Sequence, residues 1–360
     1  MSESDRLPVI PPAAYPALLP LVASAARPRP GFWEAFLRTL GFASFLFGTL
    51  LGIIIVAVAG IVLDGGMDAI KPVPGANGGT IASVPPAIVT ALAWSFPAGY
   101  LAGFVYAVVV CRVVIGRGWT REVGLRRVPV AHLGLGLLAL PGFVILSDVM
   151  ARFLFPLFGM QDYLDQSGDL GELFKPFHWS FAVLAVGVGP GVVEELWCRG
   201  FLGRGLVGRY GWAWGIALTS LFFGCLHLYP PPYVLVTVAM GVCLHFTYVV
   251  SRSLWVPISI HLLNNSFAAL TSVGAIPTDG MDRALAVHGT AVGLLAVGLL
   301  AAAGLAMWTA RARVVGDVAH RGVMVPPAGS GAVVVDHLPH PLFAAAAIGC
   351  SAALVWLLRG

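Results

Sequence analysis

Two adjacent carboxylates and a guanidinium stand inside an otherwise apolar run, Gly189-Pro190-Gly191-Val192-Val193-Glu194-Glu195-Leu196-Trp197-Cys198-Arg199-Gly200. On a helix Glu195 and Arg199 are four residues apart and share a face, so they can form a charge-assisted pair. Glu194 is turned about 100° away and stays freer to take a proton from water. Two further apolar runs carry imidazoles. One reads Phe223-Gly224-Cys225-Leu226-His227, the other His261-Leu262-Leu263-Asn264-Asn265. His261 and Asn265, again four apart, project from one helical face and can direct hydrogen bonds to a common point. The alternative for the first cluster is that Glu194, Glu195 and Arg199 reach water at an ordinary helix end.

Depth tests whether these groups can meet. A hairpin about 208–211 would join the runs holding Glu194 and His227, each roughly 23–26 Å from the bend at 1.5 Å per residue. Counted inward from Arg204 and Arg252, Glu194 and His261 lie about 15 and about 14 Å deep. Three helices thus bring polar groups to one layer. Other polar residues in apolar runs, His245, His132, Ser147 and Asp148, read individually as packing or interfacial residues or as the lining of an access path.

The elements that must position these groups follow from composition. With 58% hydrophobic and 11% charged residues and a mean hydropathy of +0.87, the 360-residue chain has too little polar surface for a water-soluble fold. Runs near 42–63, 88–111, 131–155, 178–200, 212–229, 233–250, 254–273, 286–308 and 342–358 approach the length of about 20 residues that a spanning helix needs. The expected fold is an all-α polytopic transmembrane helix bundle of about eight or nine spans. Residues 1–39 read as a mobile cytoplasmic tail, and 40–360 as the transmembrane domain with its core at about 119–273. The stretch 314–341 reads as a linker, and Trp119–Arg127 as a surface-lying segment.

Alternate loops carry Arg112, Arg117, Arg121, Arg126 and Arg127, then Arg204 and Arg209, then Arg252, then Arg311, Arg313 and Arg321. The loops between hold Asp64 and Asp68, then Asp162, Asp165, Asp169 and Glu172, then Pro230-Pro231-Pro232, then Asp279 and Asp282. The arginine-rich loops are expected in the cytoplasm, which places the N-terminus inside. The acidic, Pro-rich start lacks the features of a cleaved signal peptide. Five cysteines, Cys111, Cys198, Cys225, Cys243 and Cys350, show no metal-finger spacing and read as buried apolar residues. A net charge of +4 without a basic run gives nucleic acid no footprint, so the expected partners are the lipid bilayer and a membrane-associated protein or peptide.

The ordered set Glu-Glu-x-x-x-Arg, Phe-x-x-x-His and His-x-x-x-Asn, spanning 194–265 on separate apolar runs, resembles the CAAX-protease and bacteriocin-processing (CPBP, or ABI) intramembrane peptidases. Leu125-Arg126-Arg127 is similar to a further feature of that family, whereas Cys198 stands where the family usually has an aromatic residue. The resemblance implies hydrolysis of a peptide bond by water that Glu194 activates with the help of His227. It assigns His261 and Asn265 to an oxyanion hole and Arg199 to holding Glu195. No cofactor is required in that reading. A zinc-dependent version would use Glu194, His227 and His261 as ligands, although no HExxH motif occurs and Asn265 is a poor zinc ligand. A proton-coupled transporter is the alternative from another class. The Ala, Gly, Val and Arg bias points to a bacterial cytoplasmic membrane and a bacterial peptide or protein substrate rather than a prenylated one.

Overall fold

A computed structural model describes residues 29–63, 72–74, 80–82, 85–161, 169–228, 230–314 and 332–359. Residues 1–28, the acidic Asp64, Asp68, Asp162 and Asp165, Arg321 and most of the linker at 314–341 lie outside the described residues.

The fold is a helical bundle, as the apolar runs predict. Helix α1 (Phe32–Leu63) is followed by a small antiparallel hairpin, β1 (Pro72–Pro74) with β2 (Thr80–Ala82), and by α2 (Pro86–Val114). A single turn, α3 (Trp119–Glu122), precedes α4 (Val130–Leu157), and the short α5 (Asp169–Phe174) leads to the central element. That element starts as α6 (Trp179–Ala182), widens into a π-helical stretch (Val183–Val188), tightens as α7 (Gly189–Glu195), and widens again (Leu196–Gly203) before α8 (Arg204–Leu226). Pro190 has no N–H to return to a carbonyl of the preceding turn, which accounts for the first widening. Helices α9 (Pro231–Ser251), α10 (Trp255–Ser272) and α11 (Asp279–Thr309), a two-residue pairing of β3 (Arg313–Val314) with β4 (Val333–Val334), and α12 (Pro341–Arg359) complete the chain.

Seven helices among the described residues are long and apolar enough to cross a membrane. One of them is the 48-residue stretch Trp179–Leu226, which Gly211 (φ 81°, ψ 169°) breaks into the two legs expected as separate spans. Gly215 of the second leg lies directly on the backbone of Val207 in the first, leaving no room for a side chain. The run expected at 254–273 appears as the 18-residue α10, whose His261, Asn264 and Asn265 lower its hydropathy below that of the other seven. All nine apolar runs therefore appear as helical legs.

Side-chain and backbone hydrogen bonds gather the arginine-rich ends at one end of the bundle. The Arg204 guanidinium donates to the Glu122 carboxylate at 2.6 Å and to the Arg29 carbonyl at 3.4 Å. The Leu254 N–H donates to the Gly124 carbonyl, and that of Ala312 to Val250. Tyr248 donates to the Val123 carbonyl at 3.1 Å, and Val123 is fully buried. The 119–127 segment keeps Thr120, Arg121 and Arg127 exposed, as a surface-lying segment would, and buries Val123 and Gly124. It is docked onto the ends of α8, α9 and α10, because its turn at Gly124 (φ 81°) tucks the backbone under the Tyr248 ring. At the opposite end Arg152 bridges Asp148 of α4, at 2.7 Å, and Asp282 of α11, at 3.0 Å.

Small residues set the helix spacing. A methyl group on Gly99 would meet the Leu46 carbonyl of α1 at 2.8 Å, and one on Gly191 would meet the Leu262 Cα of α10 at 2.7 Å. Dispersion packing through such close approaches is what associates helices in lipid, where no hydrophobic driving force acts between them. Gly191→Ala is expected to lower the stability of the purified protein by about 1–3 kcal/mol, the usual cost of overpacking. Thermal melting in a fixed detergent measures it, with Gly48→Ala, which meets nothing within 4 Å, as the neutral comparison.

Candidate active site

The site lies where α7 faces α2, the end of α8, α9 and α10. Glu195 and Arg199 are both fully buried, and Arg199 Nη1 donates to Glu195 Oε1 at 2.6 Å. The guanidinium is held twice more. Its Nη2 donates to the Gly241 carbonyl of α9 at 3.0 Å, and its plane lies over the Phe223 ring of α8 at 4.4 Å. Three separate segments are thereby tied to one cation. Gly241 is small enough to sit against Ser220 and Phe223, which brings its carbonyl within reach.

Glu195 Oε1 carries a second bond, to His261 Nδ1 at 2.7 Å. A carboxylate paired with arginine can only accept, so His261 carries its proton on Nδ1 and presents Nε2 to the cavity. His227 is oriented the same way, because its Nδ1 lies 2.8 Å from the Phe223 carbonyl, which also can only accept. The two Nε2 atoms face one oxygen: Glu194 Oε2 lies 3.9 Å from each. Glu194 is 8% exposed and, among the described residues, its Oε2 accepts no hydrogen bond, whereas Oε1 accepts one from the Tyr100 hydroxyl at 2.8 Å.

The structure therefore brings together five of the six residues singled out in the sequence: Glu194, Glu195, Arg199, His227 and His261. Asn265 stands one turn beyond His261 on α10, half-buried, and its side-chain oxygen accepts from the Asn264 amide at 3.3 Å. That contact uses the oxygen, whereas the resemblance calls on the amide N–H groups. Among the residues that sequence reasoning passed over, Tyr100 touches Glu194 directly. An aromatic residue in an apolar run carries no signal of its own, and only its position after Gly99, on a face that α2 turns toward α7, makes it a partner. Gly189 is the matching feature, since a methyl group there would meet the Tyr100 ring at 2.9 Å.

The residues named as zinc ligands are spaced more widely than a zinc centre. Ligand atoms at about 2.0–2.1 Å from tetrahedral zinc are about 3.3–3.4 Å apart, against 3.9 Å for both oxygen-to-nitrogen separations here. Among the described residues no group of three or more His, Cys, Asp or Glu side chains is gathered to hold a metal ion.

Residues 176–267 match the family model described as type II CAAX prenyl endopeptidase Rce1-like. That segment, about a quarter of the chain, is similar to the Rce1-like family. This Rce1-like segment contains all six singled-out residues and agrees with the family read from the three motifs; it supports an intramembrane protease of the CAAX type in general. Comparisons with curated proteins and with solved structures returned no match. Tyr100 lies outside the Rce1-like segment, as do α1, α4, α11 and α12.

Removing one partner of a buried ion pair leaves the other charge uncompensated, at about 3–5 kcal/mol. Arg199→Met is expected to lose that much stability, and Arg199→Met with Glu195→Gln to recover part of it. Chemical unfolding of the purified variants in one lipid mixture checks the pair; equal losses in single and double variants would contradict it.

Proposed function

We propose that the chain is a metal-free intramembrane endopeptidase in which Glu194 is the general base. The observation that carries this reading is the convergence of Glu194 Oε2 with two imidazole Nε2 atoms, each 3.9 Å away and each turned toward it by a bond on the far ring nitrogen. Two groups 3.9 Å apart are too far for a direct hydrogen bond and close enough to share a water molecule.

In the proposed reaction the water oxygen attacks the peptide carbonyl carbon and a C–O bond forms as Glu194 Oε2 takes the water proton. His227 Nε2, a hydrogen-bond acceptor in the tautomer its Phe223 contact selects, aligns the water. The electron pair of the carbonyl bond moves onto the carbonyl oxygen, where positioned donors give the largest stabilisation. His261 donates there from Nε2 when both of its ring nitrogens carry protons, the Nδ1 proton being held by Glu195. The Asn265 amide is the second donor, one helical turn further along the same face. Collapse of the tetrahedral intermediate breaks the C–N bond, and the proton held by Glu194 passes to the departing nitrogen.

The substrate class follows from the setting. A site on helices that span a membrane meets peptide segments that enter or border the bilayer, so the partner is a membrane-associated protein or peptide. The arginine-rich end of the bundle is proposed to face the cytoplasm of a bacterial cell, with the start of α1 on the same side.

Cells producing the wild type and Glu194→Ala test the proposal by comparison of their membrane proteomes for new peptide termini. Fragments are expected with the wild type and reduced about 10²–10⁴-fold with the variant, the usual range for a lost general base. Equal fragments from both would remove Glu194 from the chemistry. In the purified enzyme, His261→Ala is expected to lower kcat by about 10²–10³-fold, as for other lost oxyanion donors. Activity is expected to survive chelation, and metal analysis of the purified protein to find less than one zinc per chain; loss on chelation with recovery on added zinc would favour the metal version.

A further inference from the structure

Glu194 has two carboxylate oxygens with different surroundings, and the difference comes from a helix outside the Rce1-like segment. Oε1 accepts from the Tyr100 hydroxyl of α2 at 2.8 Å, while Oε2 faces His227 from the end of α8 and His261 from α10. The other ionisable groups on the carboxylate's own element are Glu195, bonded to Arg199 and His261, and the buried Cys198.

Tyr100 reaches this point through a fitted path. Gly99 and Gly103 bring α2 against α1, where Gly99 meets the Leu46 backbone and Gly103 the Phe42 ring. The Tyr100 ring then lies on Gly189, the first residue of α7 and five before Glu194, in space that any larger residue at 189 would fill.

We propose that Tyr100 is a positioning residue for the general base: its hydroxyl fixes the Glu194 carboxylate through Oε1 so that Oε2 alone is presented between the two imidazoles. This rests on the reading of Glu194 as the base. A glutamate has three rotatable side-chain bonds, and a water held for attack needs the accepting oxygen within a few tenths of an ångström of one position. Without the phenol the carboxylate can turn Oε1 toward the histidines or swing toward Arg199. With it, one oxygen is anchored and the other is aimed.

The test uses the full chain in one lipid mixture, with Tyr100→Phe and Tyr100→Leu. Infrared difference spectra between each protein and its Glu194→Gln counterpart isolate the carboxylate bands of Glu194, a readout that needs no substrate. Tyr100→Phe is expected to shift those bands. On a peptide whose cleavage is lost in Glu194→Ala, it is expected to lower kcat about 10–100-fold, the size of a lost hydrogen bond to a charged group, with KM unchanged and a smaller fall in melting temperature than Tyr100→Leu. Tyr100→Leu is expected to match Tyr100→Phe in kcat while melting earlier. A structural role for the ring alone predicts the opposite order, with Phe equal to wild type and only Leu impaired. Unshifted bands and wild-type kcat in Tyr100→Phe overturn the proposal while leaving Glu194 as the base; retention of cleavage by Glu194→Ala overturns the base itself, whatever Tyr100 does.

Discussion

A guanidinium buried completely inside a helical bundle has to be neutralised and hydrogen-bonded, and Arg199 meets that constraint with Glu195, the Gly241 carbonyl and the Phe223 ring. Each partner comes from a different place in the chain, so the cation fixes the relative positions of α7, α8 and α9. Because Glu195 Oε1 also receives His261 Nδ1, the constraint extends to α10. Glu194, one residue away, inherits a defined orientation from a pair that stays out of the proposed chemistry. The two carboxylates thus divide the work between anchoring a histidine and facing water.

Packing makes that network reachable. Gly191 on Leu262, Gly189 on Tyr100 and Gly241 on Phe223 are three places where a side chain would press on the neighbouring helix. The fully buried Trp197 stacks on Phe42 of α1 at 4.8 Å, which braces the other side of the same segment. Close glycine contacts and ring stacking compensate in lipid for the missing hydrophobic effect between helices. The two π-helical stretches around α7 confine the regular α pattern to the seven residues that end in Glu194 and Glu195.

Much of this was legible in the residues themselves. Apolar runs marked every helical leg, since a bilayer demands about 20 apolar residues whatever the tertiary contacts. The hairpin near Gly211 and the shared depth of Glu194, His227 and His261 followed from the rise per residue alone. The Glu195 and Arg199 pair followed from helical spacing. Contacts made by ordinary residues were not legible. Tyr100 looks like any aromatic in a span, and its role depends on how α2 is rotated, which Gly99 and Gly103 decide through contacts with α1. The 119–127 segment reads as amphipathic, but its docking depends on the Leu254 N–H and the Tyr248 hydroxyl, which lie more than a hundred residues away. Spacing aligned Asn265 with His261, and the contact of its side-chain oxygen with Asn264 was not legible.

The central claim is that Glu195 and the Phe223 carbonyl hold both imidazoles with the proton on Nδ1, so that two Nε2 lone pairs converge on one oxygen of Glu194. Nitrogen NMR of the protein labelled with ¹⁵N-histidine, reconstituted in lipid, measures this directly. Near and above neutral pH, His227 and His261 are expected to show Nδ1 protonated and Nε2 bare when uncharged, and Glu194→Gln is expected to move both Nε2 signals. A protonated Nε2 on neutral His261, or Nε2 signals indifferent to Glu194→Gln, would contradict the account.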